Sequence, residues 1–186
     1  MIKKEHNAIN VLINNAGVYK REERKSVDGF EMTIAVNYIS VFLLTNILLA
    51  LIKNAANARI INLSSEVYKR GKVHLHKGFN TNKYNGIKSY ANSKLLVTYF
   101  TKELAKKLND TGITVNSLHP GIIGTNVFRD YPNWITNFMK LIISKPTEGA
   151  KPSIYLATAN ELSGVSGKYF NKIKQTQTIK LANDPV

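Results

Sequence analysis

The sequence predicts an α/β protein built on a parallel sheet, a single domain over residues 1–186. Two observations carry that prediction. Short apolar runs at 10–13, 59–63 and 114–118 do not alternate between polar and apolar residues, the pattern of strands covered on both faces. Long segments of helical character separate them, and strands alternating with helices are the signature of parallel pairing through crossover connections.

The elements follow in order. Residues 29–56 are apolar nearly all round and read as one long buried helix. Its greasiest part, 39–52, is interrupted by Ser40, Thr45 and Asn46 and is shorter than the ~20 residues of a membrane span. Residues 89–109 place Leu95, Leu96, Tyr99, Phe100, Leu104 and Leu108 at helical spacing, with Gly112 as a stop. A further helix is expected to begin after Thr147, an N-cap, with Glu148 favouring its positive end. Pro152 removes one hydrogen bond there and predicts irregular early turns. Residues 168–170 are a weaker fourth strand, and the polar tail 175–186 is expected to be loose. There are no internal repeats.

Composition narrows the classes of function. The apolar share of 44% is enough for one core. With no cysteine, disulfides and thiolate metal sites are excluded, and no metal site is expected. The opening residues, Met1-Ile-Lys-Lys-Glu-His6, lack the apolar stretch of a secretory signal, so a cytoplasmic location is the expectation. Lysine plus arginine number 26 against 12 acids, a net charge of +14. The basic residues are scattered and not interleaved with aromatics, which reads as a basic surface and gives no nucleic-acid partner. A phosphate-bearing cofactor would also favour a positive face.

Chemistry concentrates at the strand ends. Tyr90-Ala-Asn-Ser-Lys94 puts a phenol and an ammonium at i and i+4, on one helix face. An ammonium close by favours the phenolate, which a proton-transferring tyrosine needs. Alone, the pair is weak evidence and reads first as an ordinary surface helix pair. It is accompanied by Asn14-Asn-Ala-Gly17 after the first strand, Ser64-Ser65 after the second and His119-Pro-Gly121 after the third. In open parallel sheets ligands sit beyond the carboxyl ends of strands, and glycine there lets the backbone approach closely.

In this order, Asn14-Asn-Ala-Gly17, Val36-Asn37, Asn62-Leu-Ser-Ser65, Tyr90-x-x-x-Lys94, Pro120-Gly121 and Thr125 resemble the short-chain dehydrogenase/reductase family. Tyr84-Asn-Gly-Ile-Lys-Ser-Tyr90, Ser93-Lys-Leu95, Gly112-Ile-Thr-Val115 and Gly164-Val-Ser-Gly167 are similar to its retinol-dehydrogenase-like branch in particular. The resemblance implies a doubly wound Rossmann sheet and hydride transfer between NAD or NADP and an alcohol or carbonyl. It implies that Tyr90 exchanges a proton with the substrate oxygen, and that Lys94 lowers the Tyr90 pKa and bonds the nicotinamide ribose. It also implies that Ser65, the second serine of its pair, bonds the substrate oxygen. Asn37 would hold a helix irregularity and a water in the proton path. The cofactor would be lined by Asn14, Ala16, Gly17, Asn37, Tyr90, Lys94, Pro120, Gly121, Ile123 and Thr125.

One family feature has no counterpart. None of the eleven glycines forms the Thr-Gly-x-x-x-Gly-x-Gly turn that presents bare N–H groups and a helix N-terminus to the pyrophosphate. The expectation is therefore a partial Rossmann domain that starts before the family's fourth strand, lacking the first strands and the phosphate loop. Such a chain would show little activity by itself. Its first strand would be an open apolar edge, available to another chain.

The segment 127–143, with Phe128, Tyr131, Trp134 and Phe138, covers the substrate in the family and implies a lipophilic alcohol, aldehyde or ketone. A core helix, or a helix lying in a membrane surface, is an equal reading of that segment. Relatives pair through their long helices, which implies a homodimer here. The competing class is a non-catalytic α/β protein acting through its open edge. A serine hydrolase is set aside for want of a GxSxG elbow. His74 and His76, without paired acids nearby, read as surface residues.

Overall fold

The computed structural model describes residues 5–73, 84–121 and 146–179. Five strands form one sheet: β1 (Val11–Asn14), β2 (Arg59–Leu63), β3 (Thr114–His119), β4 (Tyr169–Asn171) and β5 (Lys174–Thr176). They lie in chain order, the first four parallel and β5 antiparallel to β4. The first strand is displaced one residue from the predicted 10–13, and the fourth likewise from 168–170. The tail was expected to be loose from 175, but Gln175 and Thr176 belong to β5. That strand is polar and exposed, so it carries no apolar pattern to betray it, and among the described residues its strand partner is β4.

Three helices pack on the sheet: α1 (Met32–Lys53), α2 (Gly86–Lys107) and α3 (Pro146–Thr158). Helices α1 and α2 cover one face, where Leu12, Ile60 and Val115 meet Val41, Leu48, Ile52, Phe100 and Leu104. Helix α3 covers the other, with Leu156 against Ile61, Leu118 and Phe170. This is why β2 and β3 do not alternate. On β1, however, Val11 and Ile13 remain about 40% exposed, so that strand is covered on one face only. Among the described residues its outer edge has no paired strand.

Helix α1 departs from its predicted form in two ways. It begins at Met32 rather than Gly29, because Glu31 caps it: its carboxylate accepts from the backbone N–H of Thr33 and of Ile34, both at 2.9 Å. It is also not buried all round. Thr45, Leu48 and Ile52 face the core, while Phe42, Leu43, Leu44 and Ile47 are 42–54% exposed. At 22 residues it is long and apolar enough to cross a bilayer by length and composition, yet its inner stripe is built into the core.

Helix α2 starts at Gly86, three residues before the predicted 89, because Asn85 accepts from the Lys88 N–H as its cap. Gly86 lies against the carbonyl of Lys20, and a Cβ would come within 2.3 Å of that oxygen. Helix α3 runs through Pro152 without a break.

Between the sheet and helices α1 and α2 runs a buried polar ladder. Asn14 Nδ2 donates to Thr45 Oγ1 (3.0 Å) and to Asn62 Oδ1 (2.7 Å), and Asn62 Nδ2 donates to Thr101 Oγ1 (2.9 Å). An unpartnered buried amide costs about 1–3 kcal/mol, so each member depends on the others. Asn62→Ala is expected to lower unfolding stability in urea by that amount, about 1–3 kcal/mol. Asn46→Ala, at an exposed site of α1, should leave the midpoint nearly unchanged.

Candidate active site

The carboxyl ends of β1, β2 and β3 deliver Ala16-Gly17, Ser64-Ser65 and Pro120-Gly121 to one edge of the sheet, where α2 brings Tyr90 and Lys94. Adjacent serines do different work. Ser64 is buried, bonded to the Lys94 carbonyl and to Thr98 Oγ1, both at 3.0 Å, and so ties β2 to α2. Ser65 caps the 3-10 turn Glu66–Arg70, accepting from the Val67 N–H, and its hydroxyl stands beside the Tyr90 phenol.

Burial pushes the Tyr90 phenol above its ordinary value, and the neighbouring Ser65 hydroxyl opposes that rise. Lys94, the residue expected to lower it, has its Nζ over the ring, 5.7 Å from the centroid, and donates to the Leu63 carbonyl at 2.8 Å. Lys94 is only 4% exposed, and burial lowers its pKa from 10.5 to about 8.

Asn37 lies in a π-helical stretch of α1, Ala35–Ile39, where the Ser40 N–H reaches back five residues to the Ala35 carbonyl. The wider turn sets Asn37 facing two neighbours. Its Oδ1 accepts from the Val18 N–H (2.7 Å), and its Nδ2 donates to the Val18 carbonyl (2.9 Å) and to Ser93 Oγ (3.0 Å). Ser93 in turn donates to the Tyr90 carbonyl at 2.7 Å. Asn37 therefore pins the loop after β1 to the turn of α2 that carries Tyr90. A Cβ at Gly17 would lie 3.5 Å from both Asn37 Oδ1 and Lys94 Nζ, so bare backbone borders the buried ammonium.

Not every candidate faces this site. Both amide donors of Asn14 are engaged in the ladder below it, so its side chain holds the strand ends together instead of lining a ligand. Gly121 has φ +99°, which favours glycine, and packs beside Lys172. Ile123, Thr125, the segment 127–143, His74 and His76 lie outside the described residues.

Three residues near the site were not anticipated. The Tyr19 ring stands edge-on to Tyr90 with centroids 6.0 Å apart. Glu66 accepts from the Tyr169 hydroxyl at 3.1 Å, a pair separated by 103 positions that no motif connects.

The site, with Ser65, Tyr90 and a buried lysine at the carboxyl ends of parallel strands, lies where open α/β sheets take their ligands, and the fold is of that doubly wound class. The chain belongs to the short chain dehydrogenase family, whose pattern matches residues 1–136. Human retinol dehydrogenase 14 is 42% identical over 186 residues, an alignment covering 97% of this chain and 55% of that protein. The chain thus spans about half the length of the curated relatives it matches. Among solved structures, an uncharacterised protein from Mycobacterium paratuberculosis superposes with a TM-score of 0.74 at 25% identity, covering 97% of this chain and 63% of the other. A blue fluorescent protein from a metagenomic library, solved in complex with NADPH, has a TM-score of 0.65 at 25% identity, covering 88% of this chain and 63% of the other.

The depressed Lys94 pKa carries a stability consequence. Unfolded, this lysine holds its proton up to about 10.5; folded, it releases it near 8. The unfolded state binds more protons between those values, so this group's penalty is full below pH 8 and fades as pH rises toward 10.5. Urea unfolding of wild type and of Lys94→Met should show the wild type gaining ~3 kcal/mol relative to the variant across that window.

Proposed function

We propose that this chain supplies the proton-transfer side of a carbonyl–alcohol redox site that works with NAD or NADP on a lipophilic alcohol, aldehyde or ketone. The observation that carries this reading is the buried Lys94 ammonium over the Tyr90 ring, 5.7 Å from its centroid, with Ser65 beside the phenol at the strand ends. The similarity to retinol dehydrogenases and to an NADPH-bound structure supports the substrate and cofactor classes.

The residues divide the work as follows. Tyr90, kept protonated at neutral pH by burial, gives its phenolic proton to a carbonyl oxygen, or takes one back from an alcohol. Ser65 holds that oxygen against the phenol. Lys94, with one donor on Leu63 and its other N–H bonds directed to no described residue, fits a ribose diol seated over Gly17. Asn37 keeps the Gly17 loop and the Tyr90 turn in register. A bound nicotinamide would supply the hydride. Ala16, Gly17, Pro120 and Gly121 would line it through backbone.

No glycine-rich phosphate turn occurs in the sequence, so dinucleotide binding by the 186-residue chain alone is expected to be weak. The test is therefore made on a chimera with a relative's strand–turn–helix segment placed ahead of Asn10. The chimera should reduce a hydrophobic aldehyde such as retinal with NADH or NADPH, and Tyr90→Phe should lower kcat by ~10²–10⁴. Turnover unchanged in Tyr90→Phe would sink the reading.

Among the described residues β1 has no strand on its outer edge, and Val11 and Ile13 are uncovered on its face, which favours a second reading: a non-catalytic α/β subunit that pairs through this strand. A chimera that binds neither dinucleotide would favour it. The exposed face of α1 supports a homodimer through the long helices. Sedimentation equilibrium should then give twice the chain mass, and Leu43→Glu with Ile47→Glu should return the mass to that of one chain.

A further inference from the structure

Ser65 is both the residue leaving β2 and the N-cap of the Glu66–Arg70 turn, so the direction of its hydroxyl depends on how that turn is held. One distant residue holds it twice. The Tyr169 hydroxyl donates to Glu66 Oε1 at 3.1 Å, and its ring packs on Tyr68 with centroids 4.8 Å apart. Both rings are fully buried. Lys69 takes the other carboxylate oxygen of Glu66. Tyr169 pairs in register with Ser117 of β3, so the clamp reaches from the fourth strand to the turn beyond the second.

We propose that Glu66 and Tyr169 are positioning residues for the Ser65–Tyr90 pair, acting through the 3-10 turn to hold the serine hydroxyl toward the phenol. The proposal rests on the reading of that pair as the proton-transfer group, but it can be tested without turnover. The bond is durable because its two ends titrate far apart. Burial, then the Glu66 charge, pushes Tyr169 well above the ordinary phenol range. Burial pushes the Glu66 carboxyl up, but Lys69, the Tyr169 hydroxyl and His119 outweigh it and hold it below the ordinary range. Across neutral pH one end is always a donor and the other an acceptor. A phenylalanine at 169 would fill the same core, so the clamp resides in the hydroxyl.

Tyr90 reports on the clamp directly. It is faced by Ser65 from the end of β2, Lys94 from its own helix, the Tyr19 ring from the loop after β1, and Tyr169 from β4. Placing 3,5-difluorotyrosine at position 90 alone, in the full chain, brings its titration toward neutrality, where ¹⁹F NMR reads the midpoint. Ser65→Ala is expected to raise that midpoint by ~0.5–1 pH unit, the worth of one hydrogen bond. Tyr169→Phe should raise it by a similar amount, and the two together should add nothing more. Glu66→Ala should lie above Glu66→Gln, which still offers Tyr169 an acceptor; both remove the charge, so their difference isolates the bond. A Tyr169→Phe chain that is folded by circular dichroism and leaves the midpoint in place, while Ser65→Ala moves it, overturns the proposal. So do Glu66→Ala and Glu66→Gln with equal midpoints. If the clamp variants move the midpoint but Tyr90→Phe spares turnover, the clamp stands and the catalytic reading falls.

Discussion

The hydrogen bond between Asn14 and Asn62, inside the layer that separates the sheet from its first two helices, constrains everything above it. A buried amide cannot be left without partners, and among the described residues Thr45 of α1 and Thr101 of α2 complete these two. The ladder therefore sets the depth at which both helices meet the strands. A slide of either helix by one residue would break it and leave buried polar groups unmatched. The apolar contacts around it, Leu12, Ile60 and Val115 against Leu48, Ile52 and Leu104, would tolerate a small displacement far better.

That register decides the site. With α2 held by Thr101 and by the bonds of Ser64 to the Lys94 carbonyl and Thr98, Lys94 enters under the end of β2 and reaches the Leu63 carbonyl. With α1 held by Thr45, its π-turn sits where Asn37 can bridge Val18 and Ser93. A regular α-helix would aim this residue elsewhere; the extra residue in the turn is the local irregularity that functional sites tend to keep. Stability and chemistry thus share one polar network. Its cost is visible in Lys94, a cation held almost dry beside bare backbone.

Much of this was legible in the residues. The strands at 59–63 and 114–118 were readable because both faces of β2 and β3 are covered, which suppresses alternation. Where coverage fails, so does the inference. Val11 and Ile13 are as apolar as their neighbours, yet half of β1 is open, and one face of α1 is exposed although its sequence is greasy throughout. Composition records how apolar a segment is, not what lies opposite it. Strand β5 escaped notice for the converse reason, since Lys174, Gln175 and Thr176 are polar and join the sheet through their backbone.

The sequence by itself determined the alternation of strands and helices, the small and polar residues at the strand ends, and the common helix face of Tyr90 and Lys94. Each is a local property, set by the strand period of two or the helix period of 3.6. Only the tertiary structure decided which group answers which. It gave Ser64 to the helix backbone and Ser65 to the phenol, turned Lys94 to Leu63, and took Asn14 out of the site and into the ladder. It also brought Tyr169 to Glu66 across 103 positions. Periodicity fixes the direction of a side chain relative to its own element, whereas its partner is chosen by packing between elements far apart in the chain, and by the need of every buried polar group for a match.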